Sequence, residues 1–229
     1  MTNWQNTLLQ VTHHPTALGF GAYHEVGHIV VAKLVGKAIR NILLCVDPTG
    51  DWGGEANYDL YSAFDPEWTN LNLDRYIPYH TLHLPYPGHL YLPDEHKDDR
   101  DYCAIQFAGK VAESLLYEQL GIPESPALWN EDAQDVRQAK ERILRFKPEE
   151  QEKELLNAKN RARFLLSNPI CSQMLGNLAQ ELINSILFNK EPDRQYERNN
   201  IPVKEYEFGS NQIYMNLALT LTGNNPMTI

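Results

Sequence analysis

The organisation of this chain follows from the stretch Ala22-Tyr23-His24-Glu25-Val26-Gly27-His28-Ile29-Val30-Val31-Ala32, which contains the pattern His-Glu-x-x-His. Residues four apart lie one above the other on a helix, so His24 and His28 are predicted to point two imidazoles at one metal ion. Glu25 is then placed to act as general base on a metal-bound water. The pattern is typical of a zinc peptidase helix.

The residues that follow the motif are apolar around most of the helix circumference, which predicts a helix buried on all sides. They are Ile29, Val30, Val31, Leu34 and Val35. Burying two imidazoles and a carboxylate costs free energy, and a bound metal supplies the compensation. Gly27 weakens the helix by about 1 kcal/mol relative to alanine, so we expect another element to pack closely beside the histidines. The alternative is a core helix whose histidines are hydrogen-bonded and bind no metal.

Length and charge restrict the domain organisation and the partners. The 229 residues are enough to bury a substantial core as one domain. We expect a single domain with its core over about residues 15–190, an irregular insertion over residues 62–97 and a C-terminal extension over residues 191–229. The chain has 20 Lys and Arg against 30 Asp and Glu, a net charge of −10, with no basic block. This balance argues against nucleic acid or an anionic membrane as partner.

Cysteines and apolar runs bear on the cellular compartment. Cys45, Cys103 and Cys171 are odd in number and far apart, so we expect buried, reduced thiols, with neither a disulfide framework nor a thiolate zinc site. The first ten residues lack the features of a signal peptide, and no stretch of 18 apolar residues occurs. We therefore expect a cytoplasmic protein with no membrane span.

Hydrophobic periodicity predicts a mainly α (α+β) fold, a helical domain with a small hairpin or sheet edging the active site. The β-rich segments are residues 38–46 and 54–61, which we expect to pair as a hairpin. Further helices are predicted from Asp98 to a stop at Gly121, over residues 131–146, from Pro148 to about Ser167, and onward from Asn168-Pro169. A strand over residues 203–208 and an apolar closing segment over residues 213–221 carry no chemical signature.

The insertion over residues 62–97 is rich in proline, aromatic residues and histidine, and it lacks regular periodicity. Such segments commonly form lids over active sites, so we expect a lid whose tyrosines contact substrate. These tyrosines are Tyr76, Tyr79, Tyr86 and Tyr91. The histidines of the insertion are His80, His83, His89 and His96. Their spacings fit no zinc module, and we expect no second metal site there.

Several segments, in order, resemble the peptidase domain of the FtsH family of ATP-dependent zinc proteases, peptidase family M41. His24-Glu25-Val26-Gly27-His28 resembles the family's His-Glu-Ala-Gly-His. Phe107-Ala108-Gly109-Lys110-Val111-Ala112-Glu113 is similar to its Leu-Ala-Gly-Arg-Ala-Ala-Glu stretch. Asp132-Ala133-Gln134-Asp135-Val136-Arg137-Gln138-Ala139 is similar to the segment that holds the family's third zinc ligand, and Gly53-Gly54-Glu55-Ala56 falls at its glycine-containing strand beside the cleft. The resemblance covers about residues 15–190.

The resemblance implies a zinc-dependent metallopeptidase that acts on peptides or unfolded proteins. It places the zinc ligands at His24, His28 and Asp135, with Glu25 as general base. An extended substrate is then expected to add as a strand along residues 53–58. Two details stay open. Glu113 is the rival third ligand or instead orients a histidine, and Asp132 either hydrogen-bonds a ligand histidine or is exposed.

The chain departs from the family in ways that bear on function. It contains no G-x-x-x-x-G-K-[ST] loop, so ATP-driven unfolding is not implied, although a separate ATPase partner is compatible with the sequence. The runner-up function is a catalytically silent M41-like binding or regulatory module that docks on such a partner. Glu25 argues against it, because a structural metal site needs no base beside its ligands. A third interpretation is zinc-dependent hydrolysis of a non-protein amide.

Overall fold

The computed structural model describes residues 18–48, 52–59, 96–130, 133–189 and 191–222. Within these ranges the helices are α1 (Leu18–Leu34), α2 (Lys97–Leu120), α3 (Gln134–Ile143), α4 (Pro148–Leu166), α5 (Pro169–Asn184) and α6 (Ser210–Thr222). A π-helical turn, Ser185–Asn189, extends α5. The strands are β1 (Ala38–Val46), β2 (Trp52–Asp59), β3 (Arg194–Arg198) and β4 (Ile201–Gly209). The predicted mainly α (α+β) class is confirmed.

Helix α1 is the centre of the core, because every one of its residues is buried. It packs against α2, α5 and the strands β1 and β2. Gly27 lies directly against α2. A Cβ atom at this position would lie 2.6 Å from the carbonyl oxygen of Ala108 and 2.6 Å from the Cβ of Ala112. The close packing expected beside the motif histidines is therefore confirmed.

The four strands form one antiparallel sheet in the order β2-β1-β4-β3. The predicted hairpin is the pair β1 and β2. A register shift between Ile39 and Asn41 adds one residue to β1, and this keeps Ile39 on the same face as Ile42. Both side chains are buried, so this face of the sheet covers the helical core. The strand predicted over residues 203–208 is β4, which pairs directly with β1 in the interior of the sheet.

Several boundaries differ from the sequence prediction. Helix α3 covers only Gln134–Ile143, because the chain leaves the helix in a turn before Phe146. Residues 213–221 belong to α6, and β3 was not predicted. Cys103 and Cys171 are buried as expected, whereas Cys45 is partly exposed. Its expected burial was wrong, because β1 turns this side chain to the outer face of the sheet, beside Tyr196.

Two sets of predictions fall outside the described residues. One is the lid, with its four tyrosines and with His80, His83 and His89; the other is Asp132. Among the residues that are described, no helix combines the length and the apolar character needed to cross a membrane.

Candidate metal centre

The two motif histidines lie one helical turn apart on α1 and face the same side. Their ring centroids are 4.7 Å apart, with the planes at 73°. Both Nε2 atoms approach Gly109 of α2, where a Cβ atom would lie 2.5 Å from each of them. The missing side chain at Gly109 therefore leaves a small space beside the two Nε2 atoms. A metal ion bound by both imidazoles needs such a space.

Asp135 of α3 supplies a carboxylate to the same space. Its Oδ2 atom lies 3.0 Å from Nε2 of His24 and 3.7 Å from Nε2 of His28. Tetrahedral zinc with bonds of about 2.0–2.1 Å needs ligand atoms about 3.3 Å apart, a value between these two distances. Within the described part of the chain, His24, His28 and Asp135 form a group whose ligand atoms all lie within 4.8 Å of one another. The residues present therefore fit a three-ligand zinc site.

The other nitrogen of each imidazole is tied to a hydrogen-bond acceptor. Nδ1 of His24 lies 2.6 Å from Oε1 of Glu113, and Nδ1 of His28 lies 2.6 Å from the carbonyl oxygen of Ile105. Such partners keep a proton on Nδ1 and direct Nε2 at the space that the two imidazoles share. Glu113 thus contacts His24 on the ring nitrogen opposite the ligand atom. Glu113 is therefore placed to orient this imidazole, whereas Asp135 lies on the side of Nε2.

Helix α3 is short, and its packing determines where Asp135 lies. Val136, Ala139 and Ile143 are its buried side chains. Near its other end, Nε of Arg142 lies 2.5 Å from the carboxylate of Asp99 on α2. Because Asp99 is itself buried, this ion pair is shielded from water and attaches α3 to α2. Asp135, in the first turn of α3, is thereby held beside the histidines.

Glu25 is buried beside the histidines and is covered by β2. A Cβ atom at Gly54 would lie 2.5 Å from Oε1 of Glu25, so any larger residue here would displace the carboxylate. Burial raises the pKa of Glu25, and the neighbouring histidines oppose that shift. Trp52, on the same strand, packs on Gly21 and lies with its ring 5.4 Å from that of His24. Strand β2 therefore forms one wall of the site.

The charges of the site are strongly coupled. Burial lowers the pKa of His24, but hydrogen bonds to Asp135 and Glu113 outweigh it and raise the pKa to about 10. Burial opposes ionisation of Asp135, yet the two histidines hold its pKa well below the usual value. A proton on Nε2 of His24 and a metal ion compete for the same lone pair, so metal binding must release that proton.

Sequence reasoning named His24, Glu25, His28 and Asp135, and the structure brings all four together. The sequence did not predict a role for the Ile105 carbonyl or for Trp52. The period-two alternation along β2, which places Trp52 and Gly54 on one face, was the signal that could have identified the tryptophan. Of the insertion histidines, His96 is described; its ring packs on Phe146 rather than in this site.

Comparisons of the chain with protein-family models, with curated proteins and with solved structures give no match.

Proposed function

We propose that this protein is a zinc-dependent metallopeptidase of the M41 type that hydrolyses peptide bonds in peptides or unfolded proteins. His24, His28 and Asp135 would hold the zinc, and Glu25 would be the general base. The observation that carries the proposal is the convergence of two Nδ1-anchored imidazoles and one carboxylate on the space beside Gly109, with a buried glutamate next to them.

The presence of Glu25 supports a catalytic over a structural site. A structural zinc site has four protein ligands, whereas a catalytic site has three and keeps one position for water or substrate. When zinc is bound, it lowers the pKa of a coordinated water to about 7 and polarises a carbonyl oxygen. Glu25 accepts the proton of the water that adds to the carbonyl carbon. It then delivers this proton to the amide nitrogen as the C–N bond breaks.

Burial of Glu25 suits this role. A general base works best when its pKa is near the operating pH, and burial raises the pKa of Glu25 towards that range. The same burial excludes bulk water around the reacting atoms, which strengthens electrostatic interactions there.

The position of β2 supports an extended peptide as substrate. The sheet order places β2 at an edge, with β1 as its partner among the described residues. An extended peptide could pair with the outer edge through backbone hydrogen bonds, which are indifferent to its side chains. Because Gly54 lies against Glu25, a peptide paired with β2 would pass beside the base.

The test compares wild type with Glu25→Gln, both purified with zinc, on an unfolded protein and on internally quenched peptides. We expect equal zinc content in the two proteins, because Glu25 is not a ligand, and loss of hydrolysis in the variant, because an amide cannot accept the water's proton.

Three results would count against this function. Cleavage that persists in Glu25→Gln would remove Glu25 from the mechanism. A wild type that binds one zinc yet cleaves none of these substrates would favour a catalytically silent binding module. Failure to bind zinc at all would leave the histidines as hydrogen-bonded core residues.

A further inference from the structure

One face of strand β2 contacts the two helices that hold the motif histidines and Gly109. Every second residue of the strand lies on this face, namely Trp52, Gly54, Ala56 and Tyr58. They pair across the sheet with inward-facing residues of β1. Trp52 contacts α1 near His24, and Gly54 contacts Glu25. Tyr58 is thus four residues further along the strand that covers the base, on the same face.

The hydroxyl of Tyr58 is held by α2. Nε2 of Gln106 donates to this oxygen at 3.0 Å. Gln106 lies three residues before Gly109, so adjacent turns of one face of α2 contact the phenol and the two imidazoles. Ile105, the neighbour of Gln106, accepts the Nδ1 proton of His28. One short segment of α2 therefore positions both His28 and Tyr58.

The hydroxyl proton of Tyr58 is not used in that contact, because Gln106 is the donor. Among the residues the structure describes, none accepts a hydrogen bond from it. Burial raises the pKa of Tyr58, and the charges of Tyr102 and Asp135 add to the shift, so the phenol keeps its proton at neutral pH. Tyr102 differs, since its hydroxyl donates to Oε1 of Gln138 at 3.4 Å.

We propose that Tyr58 is a catalytic residue whose hydroxyl donates a hydrogen bond to the carbonyl oxygen of the scissile peptide bond. This oxygen gains negative charge when water adds to the carbonyl carbon, and a donor already in place stabilises that charge. The bond from Gln106 polarises the phenol and makes its proton a better donor. The inference rests on the proposed peptidase function, to which it adds a second electrophile besides the metal.

The first experiment replaces the hydroxyl alone. Tyr58→Phe keeps the ring that packs on the core, and it should lower kcat by about 10²-fold with little change in KM, zinc content or thermal midpoint. Tyr102→Phe is the matched control. It removes the hydroxyl of a nearby half-buried tyrosine that already has an acceptor, and it should keep kcat within about twofold of wild type.

The second experiment measures binding without turnover. A phosphinic peptide mimics the tetrahedral, negatively charged state, and its dissociation constant should rise about 10²-fold in Tyr58→Phe. A peptide of the same sequence, bound to the Glu25→Gln protein, should bind equally well with and without the additional Tyr58→Phe change. A donor that acts only as negative charge develops on the oxygen contributes to the affinity for the phosphinic peptide. It does not contribute to the affinity for the uncharged peptide substrate.

The outcomes separate the two proposals. Unchanged kcat and unchanged phosphinate affinity in Tyr58→Phe, with an active wild type, overturn the role of Tyr58 and leave the peptidase intact. If Tyr58→Phe lowers the affinity for the phosphinic peptide and for the peptide substrate equally, or if it loses zinc, Tyr58 only positions the strand. Either result also overturns the inference. A zinc-loaded wild type that neither cleaves peptides nor binds the phosphinate overturns the peptidase and the role of Tyr58 together.

Discussion

Gly109 offers a direct test of the proposed metal centre, because it lies against both motif histidines. Alanine is a better helix former than glycine by about 1 kcal/mol, so at an open position of α2 the replacement would stabilise the protein. Here the new methyl carbon would lie 2.5 Å from Nε2 of His24 and from Nε2 of His28. Ordinary van der Waals contact begins near 3.4 Å. The imidazoles must therefore retreat by about 0.9 Å.

That displacement can be compared with what a zinc site tolerates. Metal–ligand distances are acceptable within about 0.2 Å, so a retreat of this size removes at least one imidazole from bonding distance. Changes in the surroundings of a ligand typically cost 10–100-fold in metal affinity, and loss of a ligand costs more. We therefore expect Gly109→Ala to weaken zinc binding by more than about 100-fold while α2 stays folded.

The assay is competition for zinc with a chromophoric chelator, combined with thermal unfolding with and without zinc. Zinc at 100 times its dissociation constant stabilises wild type by about 2.7 kcal/mol, which corresponds to about 5–10 °C in Tm for a chain of this size. Gly109→Ala should lose this shift.

Gly176→Ala is the matched control for the same replacement. Gly176 also lies in a helix, α5, but its added methyl group would meet only the hydroxyl of Tyr23 at 3.4 Å. The Gly176→Ala variant should keep the full zinc-dependent shift in Tm. Wild-type zinc affinity in Gly109→Ala would refute the placement of the metal between the two Nε2 atoms.

The remaining predictions concern the third ligand and pH. Asp135→Ala should abolish stoichiometric zinc binding, whereas Glu113→Gln should weaken it by no more than about 10–100-fold, as read by the same competition assay; the reverse order would misassign the ligand. Zinc-edge absorption should fit nitrogen and oxygen neighbours, and sulfur in the fit would contradict the site. In the zinc-free protein the pKa of His24 is raised from 6.5 to about 10. Its imidazolium therefore stabilises the fold fully below about pH 6.5 and progressively less as pH rises towards 10, which denaturant titrations should show and His24→Gln should remove. Because zinc binding must release the Nε2 proton of His24, zinc affinity should rise by about tenfold per pH unit between about pH 6 and 8. A zinc affinity that does not change with pH would show that His24 is not protonated in this range.

Much of the fold was predictable from the sequence because the signals are local. The four-residue spacing of His24 and His28 predicts a shared helix face, and the apolar residues after them predict a buried helix, which α1 is. Gly27 predicted the close approach of a neighbour. Pro148, Asn168-Pro169 and Gly121 mark helix ends correctly because their backbone preferences act within one turn.

The partners across the fold were decided only by the tertiary structure. From the residues alone, Asp135 and Glu113 were both acceptable third ligands, since each is a carboxylate on a downstream helix. The docking of α3 and α2 around α1 places Asp135 at Nε2 of His24 and Glu113 at Nδ1 of the same ring. No local pattern carries that distinction, because it depends on how two helices far apart in sequence cross a third.

Long-range packing also explains why the sequence did not predict the pairing partner of β4 or the position of Tyr58. Strand β4 pairs with β1, so that Ile42 lies opposite Phe208, and hydrophobic alternation specifies the buried face of a strand without specifying its neighbour. In the sequence, nothing distinguishes Tyr58 from any other aromatic residue of a strand. Its contact with Gln106, three residues before Gly109 on α2, follows from the bulge in β1 and the register of the hairpin. Local sequence determines which residues share a face, whereas long-range packing determines what that face meets.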